Sequence, residues 1–423
     1  MKQGRISSRD YQIPDNAARR HLIALICALS VPAISLPLPA HALQWSGYLE
    51  SESTFFLHDS DYIGQSSANT SLSGKIQLFY DFELPFAKGD NTLTFTPFFR
   101  IDQHDDRRSH VDFRELNWLH VGDDWELRAG MINRFWGVAE SNHLIDILNQ
   151  TDSIESIDQE EKLGQPAIEY GTFQDWGTVR LFALPGFRER TFAGQRGRLR
   201  GDVVVNTNNT EYESGAENHR LDWLGRYSHT FNEWDVGLYH FHGTSREPRL
   251  VPSLNETTSS IELSPHYDII DQTGLDLQAT YESWLWKIEA IYRSGHGRSF
   301  AAATGGVEYT FYDVAESGYD IGTLIEYQWD DRSDFAPATL ADNDLFIGGR
   351  MTFNNVQDTA ILAGGVIDAN DGTSTFLFEA ETRIGDSWKL EVSAYLFTNV
   401  DQNNLANGLR NDDHIRIQFA RYF

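Results

Sequence analysis

The chain is poor in cysteine and in basic residues. Its 423 residues contain one cysteine, Cys27, and 34 lysines and arginines against 62 aspartates and glutamates, so the formal net charge is −28 at pH 7. A lone thiol cannot close a disulfide within one chain. Nucleic acids and anionic lipid surfaces bind basic protein faces. The composition therefore excludes a disulfide-stabilised scaffold and argues against a nucleic-acid partner.

Long apolar runs are missing after residue 42. The run before that point extends from Leu22 to about Ala40, follows Arg19 and Arg20, and ends in an Ala-His-Ala cleavage motif at 40–42. Prolines interrupt it, whereas a membrane-spanning helix needs about 20 apolar residues in succession. We therefore predict that residues 1–42, which include Cys27, are a cleaved secretory signal peptide, and that residues 43–423 form the mature domain.

The mature domain contains stretches of about ten residues in which apolar and polar residues alternate with period two. Short and long connections separate these stretches in strict turn. The short connections are 85–90, 122–124, 174–175, 232–233, 282–283, 313–318, 354–358 and 385–387. The long connections are 58–70, 102–110, 135–164, 186–219, 243–271, 294–302, 330–343, 368–374 and 398–413.

This alternation of connection lengths predicts a closed β-barrel. Eight short turns and nine long loops imply eighteen strands, with sixteen as the alternative count. In lipid, only helices and closed barrels satisfy every backbone hydrogen-bonding group. We predict an all-β fold, a transmembrane antiparallel up-and-down barrel with short periplasmic turns and long extracellular loops.

Charged residues occupy one face of several predicted strands, and apolar residues occupy the other. Placing lysine or arginine on the lipid side near the midplane would cost about 2–4 kcal/mol, so the charged face is predicted to point into the lumen. A soluble β-sandwich would reverse this arrangement, and the sequence leaves open which face is concave. The predicted lumen-facing residues are Lys287, Glu289, Arg293, Glu379, Glu381, Arg383, Lys389, Glu391 and Arg416.

Several tryptophans directly follow the short turns. An indole ring at a membrane–water boundary buries its apolar surface while its N–H stays hydrated. The alternative is the general preference of tryptophan for strands. The residues predicted to form this interfacial belt are Trp125, Trp176, Trp234, Trp284 and Trp388.

The last stretch, IRIQFARYF, is an alternating strand that ends on an aromatic residue. With the signal peptide and the alternating turns and loops, it resembles Gram-negative outer-membrane β-barrels of the porin type. The resemblance implies a channel for passive or selective diffusion of small polar solutes. It also implies contact with outer-membrane lipid and lipopolysaccharide, and recognition of Phe419 and Phe423 by the barrel-assembly machinery. Arg421 departs from the aromatic pattern, and the resemblance leaves a homo-trimer and a monomer both open.

The third long loop, 135–164, is acidic, and its apolar residues at 138–148 suggest a short helix. In porins the corresponding loop narrows the pore, so by resemblance the candidates for a constriction are Asp146, Asp152, Glu155, Asp158, Glu160 and Glu161. The alternative is a solvated loop over the rim. The fourth loop carries Arg188, Arg190, Arg196, Arg198 and Arg200. These arginines would form a basic wall of the constriction, a lipopolysaccharide site or a solvated surface.

Catalytic and metal-binding patterns are weak, and we predict neither an enzyme nor a cofactor nor a metal. Ser228 and His229 would point to opposite faces of a strand. His240 and His242 share a strand face without further ligands, and the DANDG stretch at 368–372 suits a tight hairpin loop better than a calcium site. Alternatives to a channel are a plugged barrel used for adhesion or as a surface-complex scaffold and, as a minor alternative, an outer-membrane enzyme.

Overall fold

The computed structural model describes residues 43–84, 88–255 and 260–423. The predicted signal peptide lies outside the described residues. Within the described part of the chain, no helix is long and apolar enough to span a membrane. The helices found there are short 3-10 turns at Thr207–Asn209, Glu217–His219, Val314–Glu316 and Leu405–Leu409.

The described residues form twenty-one strands, of which eighteen join in one antiparallel sheet. The strands of this sheet are β1 (Leu43–Phe56), β2 (Ala68–Phe82), β3 (Asp90–Asp102), β4 (His110–Val121), β5 (Trp125–Ile132), β6 (Gln165–Gln174), β7 (Gly177–Leu184), β9 (Asp222–Phe231), β10 (Trp234–Thr244), β13 (Ile269–Tyr281), β14 (Trp284–Gly295), β15 (Gly297–Phe311), β16 (Asp320–Asp330), β17 (Asn343–Thr352), β18 (Ala360–Asp368), β19 (Ser374–Ile384), β20 (Trp388–Thr398) and β21 (His414–Tyr422).

The sheet closes because β1 pairs with β2 on one side and with β21 on the other. The closing register runs from Tyr48 opposite Tyr422 to Phe56 opposite His414. Closure pairs the backbone groups that an open sheet edge would expose to lipid. The predicted eighteen-stranded, all-β, up-and-down barrel is thus confirmed, and the count of sixteen is wrong.

One predicted long connection is wrong. Instead of a loop at 294–302, β14 and β15 form a hairpin that turns at His296, with Gly295 paired to Gly297. The two glycines have φ angles of 113° and 70°, which side chains with a Cβ rarely adopt. The other long connections occur near their predicted positions, between the same pairs of strands.

The long loops carry a small second sheet that the sequence did not predict. It consists of β8 (Glu211–Tyr212), β11 (Arg249–Asn255) and β12 (Ser260–Tyr267). β11 and β12 form an antiparallel hairpin within the predicted loop 243–271, and β8 pairs parallel to β12. The loops at this rim therefore contain regular secondary structure outside the barrel sheet.

The outer surface of the barrel is apolar. On β14, Trp286 and Ile288 are 51% and 45% exposed, whereas the intervening Lys287 and Glu289 are buried inside the barrel. The same alternation places Phe376 and Phe378 of β19 outside. Exposed apolar side chains in every second position are the pattern that a barrel wall shows towards hydrocarbon.

One side of the barrel reverses this rule. On β10, Tyr239 and Phe241 are buried inside the barrel, while His240 and His242 are on the outer face with Leu238. The two inward residues belong to an apolar cluster inside the barrel. The charged inner face predicted for several strands therefore does not extend to this side of the barrel.

We predict that Ile288→Arg lowers the free energy of unfolding by about 2–4 kcal/mol, because a charge on this face would enter lipid near the midplane. Ser393→Arg is the matched control, since Ser393 lines the aqueous lumen. Urea unfolding of the protein in phospholipid vesicles measures both values. Equal losses in the two variants would contradict the assignment of the outer face.

Candidate functional site: the barrel lumen

The third loop, residues 133–164 between β5 and β6, folds into the barrel. Its backbone reaches Glu289 on β14, whose carboxylate accepts hydrogen bonds from the N–H groups of Val138 (2.7 Å), Ala139 (3.0 Å) and Ile145 (3.2 Å). The predicted inward path of this loop is present. The predicted helix is wrong, because residues 138–148 form turns and extended segments.

A second carboxylate, on β16, holds the next part of the loop. Glu326 accepts hydrogen bonds from the backbone N–H groups of Glu140 (2.8 Å) and Ser141 (2.8 Å), and from the Ser141 hydroxyl (2.6 Å). The Glu140 side chain in turn pairs with Arg350 of β17 at 2.6 Å. Because Glu289 and Glu326 are almost fully buried, the loop N–H groups compensate for the loss of water around them.

The apolar side of the loop fills one part of the lumen. Ile145, Ile147 and Leu148 are buried in a cluster with inward-facing residues of β6, β7, β9, β10 and β13–β15. These barrel residues include Phe182, Leu224, Tyr239, Phe241 and Phe300. This packing explains why β10 has apolar residues on its inner face, since the wall there contacts the loop instead of water.

An open cavity of about 760 Å³ remains beside the loop. Its lining comes from the third loop and from the wall made by β1–β4 and β17–β21. Eleven carboxylates and six cationic side chains face it. The cations are Lys75, Arg100, Arg114, Lys162, Arg350 and Arg416. The cavity is therefore aqueous in character and has an excess of negative charge.

The acidic residues predicted at a constriction fall into two groups. Glu155 and Asp158 line the cavity, together with Glu160 and Glu161 of the same loop. Asp146 is buried beside Lys162, 3.1 Å from its Nζ atom. Asp152 is buried between Arg114 (2.6 Å) and the Thr191 hydroxyl (2.7 Å). Only the first group is placed to meet a solute.

An ion-pair network, which no sequence pattern predicts, joins the loop to the opposite wall. Arg100 of β3 pairs with Glu155 at 2.7 Å and with Glu52 of β1 at 3.3 Å. Arg108, just before β4, pairs with the same Glu52 at 2.7 Å. Since Arg100 and Glu155 also line the cavity, the network forms part of its boundary.

The arginines of the fourth loop lie away from the cavity. Arg188 pairs with Asp112 at 2.8 Å, and Arg190 packs behind the third loop near Gln150. The other three contact the surface loops: Arg196 pairs with Asp106, Arg198 with Asp412, and Arg200 lies over the Tyr62 ring. This placement does not support their predicted role in a constriction, because none of the five lines the cavity.

Most residues predicted to face the lumen lie on inward faces. Lys287 lies near Glu140 and Glu308, and Arg293 pairs with Glu247 at 2.6 Å. Of the predicted residues on β19–β21, those that line the cavity are Glu379, Glu381, Glu391 and Arg416. Lys389 pairs with Glu381 and Glu391, and Arg383 pairs with Asp358 at the short-turn rim. Acidic and basic side chains are thus mixed on this wall.

The predicted belt tryptophans lie at the short-turn rim. Four of them are the first residues of β5, β10, β14 and β20, and Trp176 lies in the β6–β7 turn. Phe419 stacks on Trp388 at 4.6 Å, and Phe423 lies 5.5 Å from Trp45. Phe423 also exchanges two backbone hydrogen bonds with Gly47. Recognition of Phe419 and Phe423 by an assembly factor stays a prediction.

Enclosure changes the acidity of one cavity carboxylate. Glu161 is open to the cavity but surrounded by the barrel wall, and this burial raises the pKa of its carboxyl group although Arg114 and Lys75 oppose the shift. The pKa of Glu160 shifts the other way, because the neighbouring His143 imidazole, with Nε2 3.9 Å from Glu160 Oε1, lowers it. Glu161 is therefore the first of the two to lose its charge as the pH falls.

We predict that Glu289→Ala releases the 138–145 segment. Three loop N–H groups lose their acceptor, and a buried unpaired group costs about 1–3 kcal/mol. Hydrogen–deuterium exchange of peptides covering this segment is expected to become roughly tenfold faster or more. Glu381→Ala is the control, since Glu381 pairs with Lys389 and not with the loop. Unchanged exchange in Glu289→Ala would show that other contacts hold the loop.

Comparison with known proteins supports the architecture. No family model matches the sequence, and no curated protein is similar to it. Among solved structures, Acinetobacter baumannii OccAB3 is similar with a TM-score of 0.53 and 8% identity, covering 90% of this chain and 99% of that chain. Pseudomonas aeruginosa OccD3 (OpdP) gives a TM-score of 0.52 and 9% identity, covering 90% and 91%. At such identities the likeness shows the fold alone, which is that of Gram-negative outer-membrane β-barrels of the porin type.

Proposed function

We propose that the protein is an outer-membrane channel through which small polar solutes diffuse. The observation that supports this proposal is the cavity of about 760 Å³, which is lined mainly by charged and polar side chains. A purely structural barrel interior of this width would pair or fill its inward groups. Here Lys75 and Arg416 face the cavity, and neither has an ion-pair partner within 4.0 Å among the described residues.

The cavity charge favours cations. Carboxylates outnumber lysines and arginines on its lining, and rings of acidic side chains make a pore cation-selective. The excess is concentrated on the third loop, where Asp158, Glu160 and Glu161 face the cavity together. Selection for a particular solute would arise between this acidic loop and the opposite wall, where Lys75 and Arg416 lie.

A plugged barrel with an adhesive or scaffold role is the second candidate. The observation in its favour is the apolar contact between the third loop and one side of the wall, which closes that side of the lumen. On this view the remaining cavity is a blind pocket, and the ordered hairpin β11–β12 at the loop rim would carry the activity. The two candidates differ in whether ions cross the barrel.

Planar-bilayer recording on the purified protein separates these candidates. A channel gives stepwise conductance increases, and a reversal potential of the sign expected for cations under a salt gradient. Heat-modifiable gel migration of the same sample verifies that the barrel is folded. Folded protein without conductance steps would exclude the channel and favour the plugged barrel.

Ion selectivity should depend on pH. Because burial raises the pKa of Glu161, this group becomes neutral at a higher pH than an ordinary glutamate, and cation preference is expected to decline as the pH falls from neutrality. Glu161→Gln should reduce the preference at neutral pH and flatten its pH dependence. Asp175→Asn removes the same charge from an exposed short turn and serves as the control. Reversal potentials measure the effect, and equal shifts in both variants would contradict a role for the cavity charge.

A further inference from the structure

Three potential ligand side chains meet where the third loop packs against the barrel wall. His110 is the first residue of β4, whereas Asp152 and Glu155 belong to the loop. One ligand atom of each lies within 4.8 Å of the other two. His110 Nε2 is 3.6 Å from Glu155 Oε1 and 4.0 Å from Asp152 Oδ2. The site is thus shared between two separate parts of the chain.

Two of these atoms have no hydrogen-bond partner among the described residues. His110 Nε2 and Glu155 Oε1 are both buried and unpaired, and Glu155 as a whole is only 6% exposed. Leaving a buried polar atom unpaired costs about 1–3 kcal/mol. The two atoms face each other across 3.6 Å, so one cation bound between them would give a partner to both.

Bonds made by the remaining polar atoms fix the orientation of all three side chains. His110 Nδ1 lies 3.0 Å from the Arg108 carbonyl oxygen, which can only accept, so Nδ1 carries a proton and, in the neutral imidazole, Nε2 presents its lone pair. Arg100 donates to Glu155 Oε2 at 2.8 Å, and the Thr191 hydroxyl donates to Asp152 Oδ1 at 2.7 Å. Protein metal ligands are held by outer hydrogen bonds of this kind.

The neighbouring arginines do not fill the gap. Arg108 is bonded to Glu52, and Arg100 to Glu155 Oε2, Glu52 and Ser71. Arg114 Nη1 donates to Asp152 Oδ2 at 2.6 Å, but a carboxylate oxygen has a second lone pair to offer. None of these arginines therefore donates a hydrogen bond to His110 Nε2 or Glu155 Oε1.

We propose that His110, Asp152 and Glu155 bind a divalent transition-metal ion, with Zn²⁺ as the best match. One imidazole nitrogen and two carboxylate oxygens suit Zn²⁺, and its ligand bonds of about 2.0–2.2 Å place tetrahedral ligands about 3.4 Å apart. The observed 3.6 Å and 4.0 Å separations need only small adjustments.

The bound ion would clamp the third loop to β4. Glu155 lines the cavity, so the ion lies at its margin and adds positive charge beside the acidic loop residues. The site departs from the sequence-based expectation of no metal. It was not visible in the sequence because 42 residues separate His110 from Asp152 and no ligand-spacing motif links them.

The proposal is tested by isothermal titration calorimetry, in which Zn²⁺ is added to the chelator-treated protein in detergent. This experiment measures binding directly, so its result does not depend on whether the protein conducts ions. We expect a saturable site in the wild type and an affinity at least about 100-fold weaker in His110→Phe, since outer-shell changes alone cost 10–100-fold. Phenylalanine keeps the ring that packs 5.6 Å from Phe98. His219→Phe, which alters an exposed loop histidine, should bind like the wild type. Binding should also weaken at acidic pH, because protons compete for the ligands.

If His110→Phe misfolds, the proposal can still be tested with a second variant, Glu155→Gln, and a second measurement, the visible spectrum of bound Co²⁺. Heat-modifiable migration identifies folded variants, and loss of the Co²⁺ bands in folded Glu155→Gln would support the site. Wild-type-like Zn²⁺ binding in folded His110→Phe, or no saturable binding in the wild type, would overturn it. In that case His110 and the two carboxylates form only an ion pair.

Discussion

Closure of the sheet is the constraint on which the rest of the structure depends. A strand in lipid has no water to bond its N–H and C=O groups, so the first and last strands must find each other. The pairing of β1 with β21 accomplishes this. Closure also holds the strand register, because on strands such as β14 a one-residue slip would bring the charged face into contact with lipid.

The third loop faces the same constraint inside the barrel. Extended backbone that leaves the sheet must still bond its N–H groups, and the wall supplies acceptors in Glu289 and Glu326. The apolar side of the loop needs an apolar partner, which the inward-facing aromatic residues of β7 and β10 provide. The lumen is consequently two different environments, an apolar packed side and a charged open side.

The sequence predicted the barrel well because period-two alternation and connection length are direct consequences of spanning lipid with paired strands. The sequence-based prediction failed where the local pattern of residues does not determine the structure. Tyr239 and Phe241 alternate with Leu238, His240 and His242, so the rule that the apolar face meets lipid cannot assign β10. Pro252 and Pro265 argue against strands β11 and β12, and the hairpin at His296 depends on two glycine φ angles. Contacts such as Arg100 with Glu155 join distant segments that no spacing links.

The anchoring of the third loop has a consequence for the order of assembly. Val138 and Glu140 precede their acceptors Glu289 and Glu326 by 151 and 186 residues. The loop therefore cannot settle until β14 and β16 have joined the sheet. Docking of the loop is thus a non-local step, and a barrel in which the loop has not docked is wider inside than the finished molecule.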